Sequence, residues 1–391
     1  MRGHWLNNER LTNYPRIFLM LYLIAGIVWV ALSHHGLDLQ NKPLGYDFTT
    51  YWAASRLALS GTPAAAYDVV NIARVEWSIV PGNHSVNPWL YPPTFYLLVL
   101  PLALMPYFLS YFVFIGTSFA AYFAVVRRIF TTPGSLMLLL AFPGVFVNVV
   151  DGQNGFLTAA LMGGALLLLP GRPLWAGILF GLLTIKPHLG LLVPLALLCG
   201  RHWRALFYAA LSATLFMAVS VAVLGEDTLG AFVVGMGKFS GWLINEPGVL
   251  VKIPGFFSFA YLLGAPLWGA YALYGVVALG VATGTCWVWL RCPHQDLRAA
   301  ALVTGSLLTS PYLLDYDLAW LALPIAWFSR YGMRHGWLRG EREMLAAIWL
   351  LPMFVTVIHL VTGMQLAPFL LLGFFLMILR RSKVSGEAEV G

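Results

Sequence analysis

The chain has 391 residues, 60% of them apolar and only 10% charged, with a mean hydropathy of +0.78. A soluble fold carries charge on about a quarter of its residues. This composition therefore excludes a soluble enzyme, a secreted disulfide scaffold and a disordered chain, and leaves a protein solvated by lipid. The formal charge of +7 is then first a topology signal, and no nucleic-acid partner is expected.

In chain order, the first apolar run (17–33) follows Arg2, Arg10 and Arg16 and lacks a small-residue cleavage site, so it reads as a retained anchor. Further candidate spans cover 95–126, 134–150, 156–170, 174–186, 188–200, 205–224, 266–290, 299–311, 318–331, 344–361 and 367–380. Together they predict an all-α, polytopic transmembrane protein with about 12 membrane segments, given the roughly 20 residues a spanning helix needs. It forms a single integral membrane domain over residues 1–391. The 95–126 stretch is too long for one straight span, and Pro101 and Pro106 are expected to divide it. The pair around Lys186-Pro187-His188 is too short for two ordinary spans, so it reads as broken helices buried in protein.

Placing the N-terminus in the cytoplasm puts 17 of the 23 lysines and arginines on that side and 10 of the 16 acids on the other. The basic residues left without a topological role are Lys42, Arg56, Arg74, Lys186, Lys238 and Lys252. Both termini, including the 381–391 tail, are then expected in the cytoplasm, as the positive-inside rule requires. Two outer segments are long. Residues 34–94 carry short amphipathic runs such as Tyr51–Leu59, expected to lie in the interface beside Trp52, Trp77 and Trp89. Residues 225–265 hold Lys238, Trp242, Glu246 and Lys252. The inner connections are short, so chemistry is expected on the outer face.

Four polar clusters stand out. Gly45-Tyr46-Asp47-Phe48-Thr49-Thr50-Tyr51-Trp52 sets an acid among aromatic rings. Asp47 reads either as a general base with a raised pKa or as the N-cap of a helix beginning near Thr49. Asp151-Gly152-Gln153-Asn154-Gly155 has the composition of an ordinary tight turn. Thr184-Ile185-Lys186-Pro187-His188 places an ionisable pair within apolar sequence, which marks a functional site unless Lys186 snorkels to the surface. Ser310-Pro311-Tyr312-Leu313-Leu314-Asp315-Tyr316-Asp317 offers two acids without an obvious third metal ligand, so polar substrate recognition by Asp315 and Asp317 fits better than a metal site. The three cysteines, Cys199, Cys286 and Cys292, are too scattered for a metal cluster or a disulfide framework. No Walker, GxGxxG, HExxH or GxSxG motif occurs, and no cofactor is expected.

These clusters, taken in order, resemble the polyprenyl-phosphate-dependent glycosyltransferases of family 87. The resemblance runs through Tyr46-Asp47-Phe48, Tyr51-Trp52-Ala53-Ala54, Gly61, Tyr67-Asp68, Tyr91-Pro92-Pro93, Leu100-Pro101-Leu102, Gly152-Gln153-Asn154-Gly155 and Gly181-Leu182-Leu183-Thr184-Ile185-Lys186-Pro187-His188, over roughly residues 45–325. It implies a membrane enzyme of the GT-C class. Such enzymes move a sugar, typically mannose and in some members arabinofuranose, from a polyprenyl-phosphate donor to a glycan or glycolipid acceptor on the non-cytoplasmic face. In a bacterium that membrane is the inner one. The resemblance makes Asp47 the base that deprotonates the acceptor, with metal-independent, inverting chemistry. Lys186 and His188 are then expected at the donor phosphate, and Tyr51, Tyr91, Gln153 and Asn154 around the sugar. One departure concerns the junction after the Ser-Pro pair, where some members carry histidines and this chain has Asp315-Tyr316-Asp317. A transporter or flippase of a lipid-linked sugar is the alternative, since it too needs a cationic site at a proline break. Against it stand the asymmetric outer loops and the absence of repeated halves.

Overall fold

A chain crossing a bilayer must satisfy its backbone hydrogen bonds internally, and this one does so almost wholly with helices. The computed structural model describes residues 5–132, 134–244 and 247–387. Among the described residues there is no β-strand, only isolated bridges joining Leu37 to His34 and to Pro43.

Helix α1 (Asn8–Ala31) starts at Asn7, whose side chain accepts the Arg10 N–H at 2.9 Å. Ile17, Leu21, Ile24 and Val28 lie exposed along it, the pattern of a helix facing lipid. Helix α2 (Phe48–Leu59), a 3-10 turn (Pro63–Tyr67) and α3 (Val69–Ile79) follow. Helix α4 (Pro93–Val99) and a 3-10 turn (Leu102–Leu104) then lead to the long α5 (Tyr107–Ile129). The division of the 95–126 stretch falls at Pro101 and Pro106, as expected where proline removes a backbone donor.

Next come α6 (Ser135–Leu140), α7 (Pro143–Asp151), α8 (Gly155–Leu168) and α9 (Pro173–Leu182). Two 3-10 turns, Leu183–Ile185 and Pro187–Gly190, separate α9 from α10 (Val193–Cys199). The chain continues through α11 (Trp203–Leu224), α12 (Glu226–Ile244), α13 (Pro247–Leu250), α14 (Phe256–Leu262), α15 (Leu267–Arg291) and α16 (Gln295–Leu308). A 3-10 turn (Asp315–Leu321) precedes α17 (Ala322–His335), α18 (Glu341–Thr362) and α19 (Ala367–Glu387). Among the described residues, α1, α5, α11, α15 and α18 are long and apolar enough to cross a membrane. These are the helices of an integral membrane protein, in number fewer than the twelve segments expected, because several apolar runs form helices too short to span alone.

The short helices pack inside the protein. Helix α8 is buried over most of its length, from Gly155 through Leu166. Helices α9 and α11 approach unusually closely. A Cβ at Gly177 would lie 2.7 Å from the Ala205 carbonyl oxygen, and one at Gly181 would lie 2.7 Å from that of Ala209. This is the small-residue packing that brings membrane helices together where no hydrophobic effect drives them.

Three segments singled out in the sequence take the following form. The Tyr51–Leu59 run forms most of α2, whose first half is buried within the protein (Phe48, Thr49, Thr50, Tyr51, Ala53, Ala54 and Ser55) while Arg56 and Leu59 in its second half are exposed. The 225–265 segment holds the 19-residue helix α12 and the short helices α13 and α14, while Glu246 and the Trp242 side chain lie outside the described residues. The 381–391 tail begins as a continuation of α19, which runs to Glu387.

Candidate active site

Asp47 occupies the N-cap position of α2, yet its side chain makes no capping hydrogen bond. Backbone bonds close the helix start instead, from Phe48 N–H to Gly45 O (2.8 Å) and from Thr49 N–H to Tyr46 O (3.3 Å). The carboxylate is turned to the 151–155 loop. There Gln153 Nε2 donates to Asp47 Oδ2 at 2.9 Å, and the Asp47 N–H donates to the Asp151 carbonyl at 3.0 Å. The capping role is therefore unused by this acid.

The loop that receives Asp47 is both a turn and a hub. Gly152 takes φ +75° to terminate α7, and a Cβ there would lie 2.8 Å from Phe48 Cβ, so only glycine satisfies both demands. With its amide oriented to suit both neighbours, buried Asn148 accepts from Gly155 N–H (3.1 Å) and donates to Gln153 O (2.9 Å). Gln153 Oε1 accepts from the hydroxyls of Tyr51 and, at 3.1 Å, Tyr91. Those two hydroxyls also lie 2.8 Å apart, so their two hydrogens are shared among three contacts. One glutamine thus joins the acid to two phenols drawn from different segments.

Asn154, the next residue, reaches the cation. Lys186 Nζ donates to Asn154 Oδ1 at 3.4 Å and to Asp317 Oδ1 at 2.6 Å. It also stands 4.5 Å from the centroid of the Tyr316 ring. Lys186 is only 4% exposed and Asp317 fully buried, so this lysine does not snorkel. The proline break positions it: the 3-10 turns on either side of Lys186 replace helical bonds, and Thr94 Oγ1 donates to the freed Thr184 carbonyl at 3.0 Å. Asn154 Nδ2 is buried and has no hydrogen-bond partner, which leaves an unused donor beside the ammonium.

The remaining expected residues are less central. His188 follows Lys186 but turns toward Tyr312, ring centroids 6.5 Å apart, and its Nε2 is buried without a hydrogen-bond partner. Asp315 Oδ1 accepts the Tyr316 N–H at 3.0 Å. Asp317 Oδ2 accepts the Leu314 N–H at 3.3 Å, so this acid serves the lysine and its own turn. Among the described residues, no three His, Cys, Asp or Glu side chains converge to hold a metal ion.

Electrostatics ties a further lysine to the cluster. Burial among aromatic rings raises the Asp47 pKa, while Lys252, the Gln153 hydrogen bond and Lys42 act to lower it. At Lys252, burial favours loss of the proton, but Asp151, Asp315 and Asp47 outweigh it and hold the ammonium up to about 12. Lys252 was one of the few basic residues without a topological role, a signal present in the sequence. Asp151 was visible only as a turn former. Nothing in the pattern singled out Glu76, which is fully buried on α3 with a pKa pushed up to about 8 by that burial.

Comparison with known families assigns a class to this arrangement. Residues 89–311 match glycosyltransferase family 87, a stretch that includes Tyr91, Gln153, Asn154, Lys186, His188 and Lys252 while Asp47, Tyr51, Asp315 and Asp317 lie outside it. Searches of curated proteins and of solved structures find no match. The match covers more than half of a chain whose long apolar helices are those of a membrane protein, and the chain belongs to glycosyltransferase family 87, a family of membrane glycosyltransferases.

Proposed function

We propose that the protein transfers a sugar, mannose in the first instance, from a polyprenyl-phosphate donor to a glycan or glycolipid acceptor. It does so with inversion, at the non-cytoplasmic face of a bacterial inner membrane. The proposal includes a GT-C-like fold of about 12 membrane segments, counting short buried helices among them, with both termini cytoplasmic. Arabinofuranosyl transfer is the variant reading for the donor sugar.

What supports the reading is the continuity between an acid and a cation through two adjacent residues. Gln153 bonds Asp47, and Asn154 bonds Lys186. In this mechanism Asp47 takes the proton of the acceptor hydroxyl as that oxygen attacks the anomeric carbon. The bond to the phosphate oxygen breaks, and its electron pair leaves with the phosphate. The developing charge is met by the Lys186 ammonium and the free Asn154 Nδ2–H donor, the preorganised electrostatic contribution that dominates many enzymes. Asp317 orients the ammonium. Tyr51 and Tyr91 line the sugar position beside Gln153, while Asp315 faces the acceptor. One carboxylate suffices because phosphate departs without being protonated, unlike the paired acids of glycoside hydrolysis. General-base catalysis contributes about 10²–10⁴-fold, so Asp47→Asn is expected to lower turnover by that factor in a folded protein. The assay follows transfer from a synthetic polyprenyl-phosphate mannose in nanodiscs. Normal transfer by the variant sinks the assignment, and movement of intact carrier without bond cleavage replaces it with transport.

A further inference from the structure

Glu76 takes no part in the mechanism above, yet it is fully buried on α3, near enough to Asp47 to feel its charge. Its Oε2 accepts the Asn87 N–H at 2.9 Å, and its Oε1 lies 3.1 Å from Thr49 Oγ1. Thr49 Oγ1 is also 2.7 Å from the Tyr46 carbonyl, and Asn87 Nδ2 donates to that carbonyl at 2.8 Å and to Thr49 Oγ1 at 3.2 Å. Asn83 Nδ2 donates to the Glu76 carbonyl at 3.0 Å. One carboxyl group therefore links α3, the 83–87 segment and the turn that ends in Asp47.

The proton count within this network is informative. A threonine hydroxyl has a single hydrogen. The shorter contact, to the Tyr46 carbonyl, takes it. The Thr49–Glu76 contact is then a hydrogen bond only if Glu76 supplies the proton. A neutral Glu76 satisfies every partner: its O–H donates to Thr49, Thr49 donates to Tyr46 O, and Glu76 Oε2 accepts from Asn87. An ionised Glu76 draws the Thr49 hydrogen to itself, so the Tyr46 carbonyl loses the shortest of its three bonds and keeps only Asn87 Nδ2 at 2.8 Å and Thr49 N–H at 3.3 Å. The titratable groups that face it are Asp47 and Tyr46 on that turn and Tyr107 at the start of α5, with Lys42 lying 4.8 Å over the Tyr46 ring.

We propose that Glu76 is a positioning residue that works in its neutral form, holding the Tyr46–Asp47 turn through Thr49 and Asn87 so that Asp47 meets the acceptor. This inference rests on the reading of Asp47 as the base. Burial agrees with it, since the Glu76 pKa is pushed up to about 8.

The test uses the full chain in nanodiscs with Glu76→Gln and Glu76→Ala, the same mannosyl donor, and thermal unfolding from pH 5 to 9. Glutamine keeps a donor for Thr49 and an acceptor for Asn87. Its turnover at pH 7 is expected within about twofold of the parent, because a neutral hydrogen-bonding group replaces another of like shape. The parent is expected to lose turnover as pH rises through about 8, and Glu76→Gln is expected not to. Glu76→Ala is expected to lose turnover more than tenfold, on the scale of a misplaced catalytic group, with KM less affected. Infrared difference spectra should show a protonated carboxyl band at pH 7 that is missing from Glu76→Gln. A glutamine variant as impaired as alanine, an alanine variant with normal turnover, or no such band each overturns the proposal. If the alanine variant does not fold, the glutamine variant and the infrared band decide it. Normal transfer by Asp47→Asn would instead remove the underlying reading, whatever Glu76 does.

Discussion

The ion pair between Lys186 and Asp317 allows a structural role to be separated from a chemical one. Replacing Asp317 by Leu leaves an ammonium that is 4% exposed without its carboxylate. Removing one partner of a buried pair costs about 3–5 kcal/mol. Two interactions soften this: Asn154 Oδ1 at 3.4 Å and the Tyr316 ring at 4.5 Å. The ring contact retains about 1 kcal/mol, so the net cost is about 2–4 kcal/mol. Lys186→Met should cost a similar amount, because Asp317 then keeps only the long bond from Leu314 N–H at 3.3 Å.

The double variant, Lys186→Met with Asp317→Leu, buries no charge and is expected to recover to within about 1–2 kcal/mol of the parent, as apolar replacement of buried pairs often does. Equilibrium unfolding of the purified chain in mixed micelles measures all four corners of the cycle. If Lys186 also meets the donor phosphate, the double variant stays inactive despite its recovered stability. The reasoning is refuted if either single variant is as stable as the parent, or if the double is no more stable than the weaker single.

Other outcomes follow from the same contacts. Gln153→Leu removes the donor to Asp47 and the shared acceptor of Tyr51 and Tyr91. It should cost about 1–3 kcal/mol through unsatisfied buried groups and lower turnover, measured by unfolding and transfer together. Lys252→Met should move the acid limb of kcat/KM to higher pH. The sign follows from Lys252 acting to lower an Asp47 pKa already raised by burial, so its loss leaves the base protonated to higher pH; a limb that stays put or moves down contradicts this. Glu76 carries a matching stability signature. Its folded pKa of about 8 exceeds its ordinary 4.5, so its contribution is fully present below pH 4.5 and is lost as pH rises through about 8. Thermal unfolding of Glu76→Gln should lack that dependence.

Composition alone decided that lipid is the solvent, because charge on a tenth of the residues cannot hydrate a chain of this size. Proline positions decided where helices break: Pro101 and Pro106 before α5, and Pro187 beside Lys186. Those are local consequences of a missing N–H and a fixed φ. Asp47 and Lys186 stood out for similar local reasons, as ionisable groups in apolar or aromatic surroundings, whereas Gln153 and Asn154 entered only through the family resemblance.

Their connections were another matter. That Asp47 faces Gln153 rather than capping its own helix depends on a contact across about a hundred residues of chain, and the Lys186–Asp317 pair spans still more. The turn composition of residues 151–155 was correct as local structure and silent about the side chains it would gather. The same limit hid Glu76. Its burial and its bond to Thr49 arise only when α3 packs against the start of α2. Local chemistry could say which groups are costly to bury, but only the packing of distant segments decides which partner compensates each one.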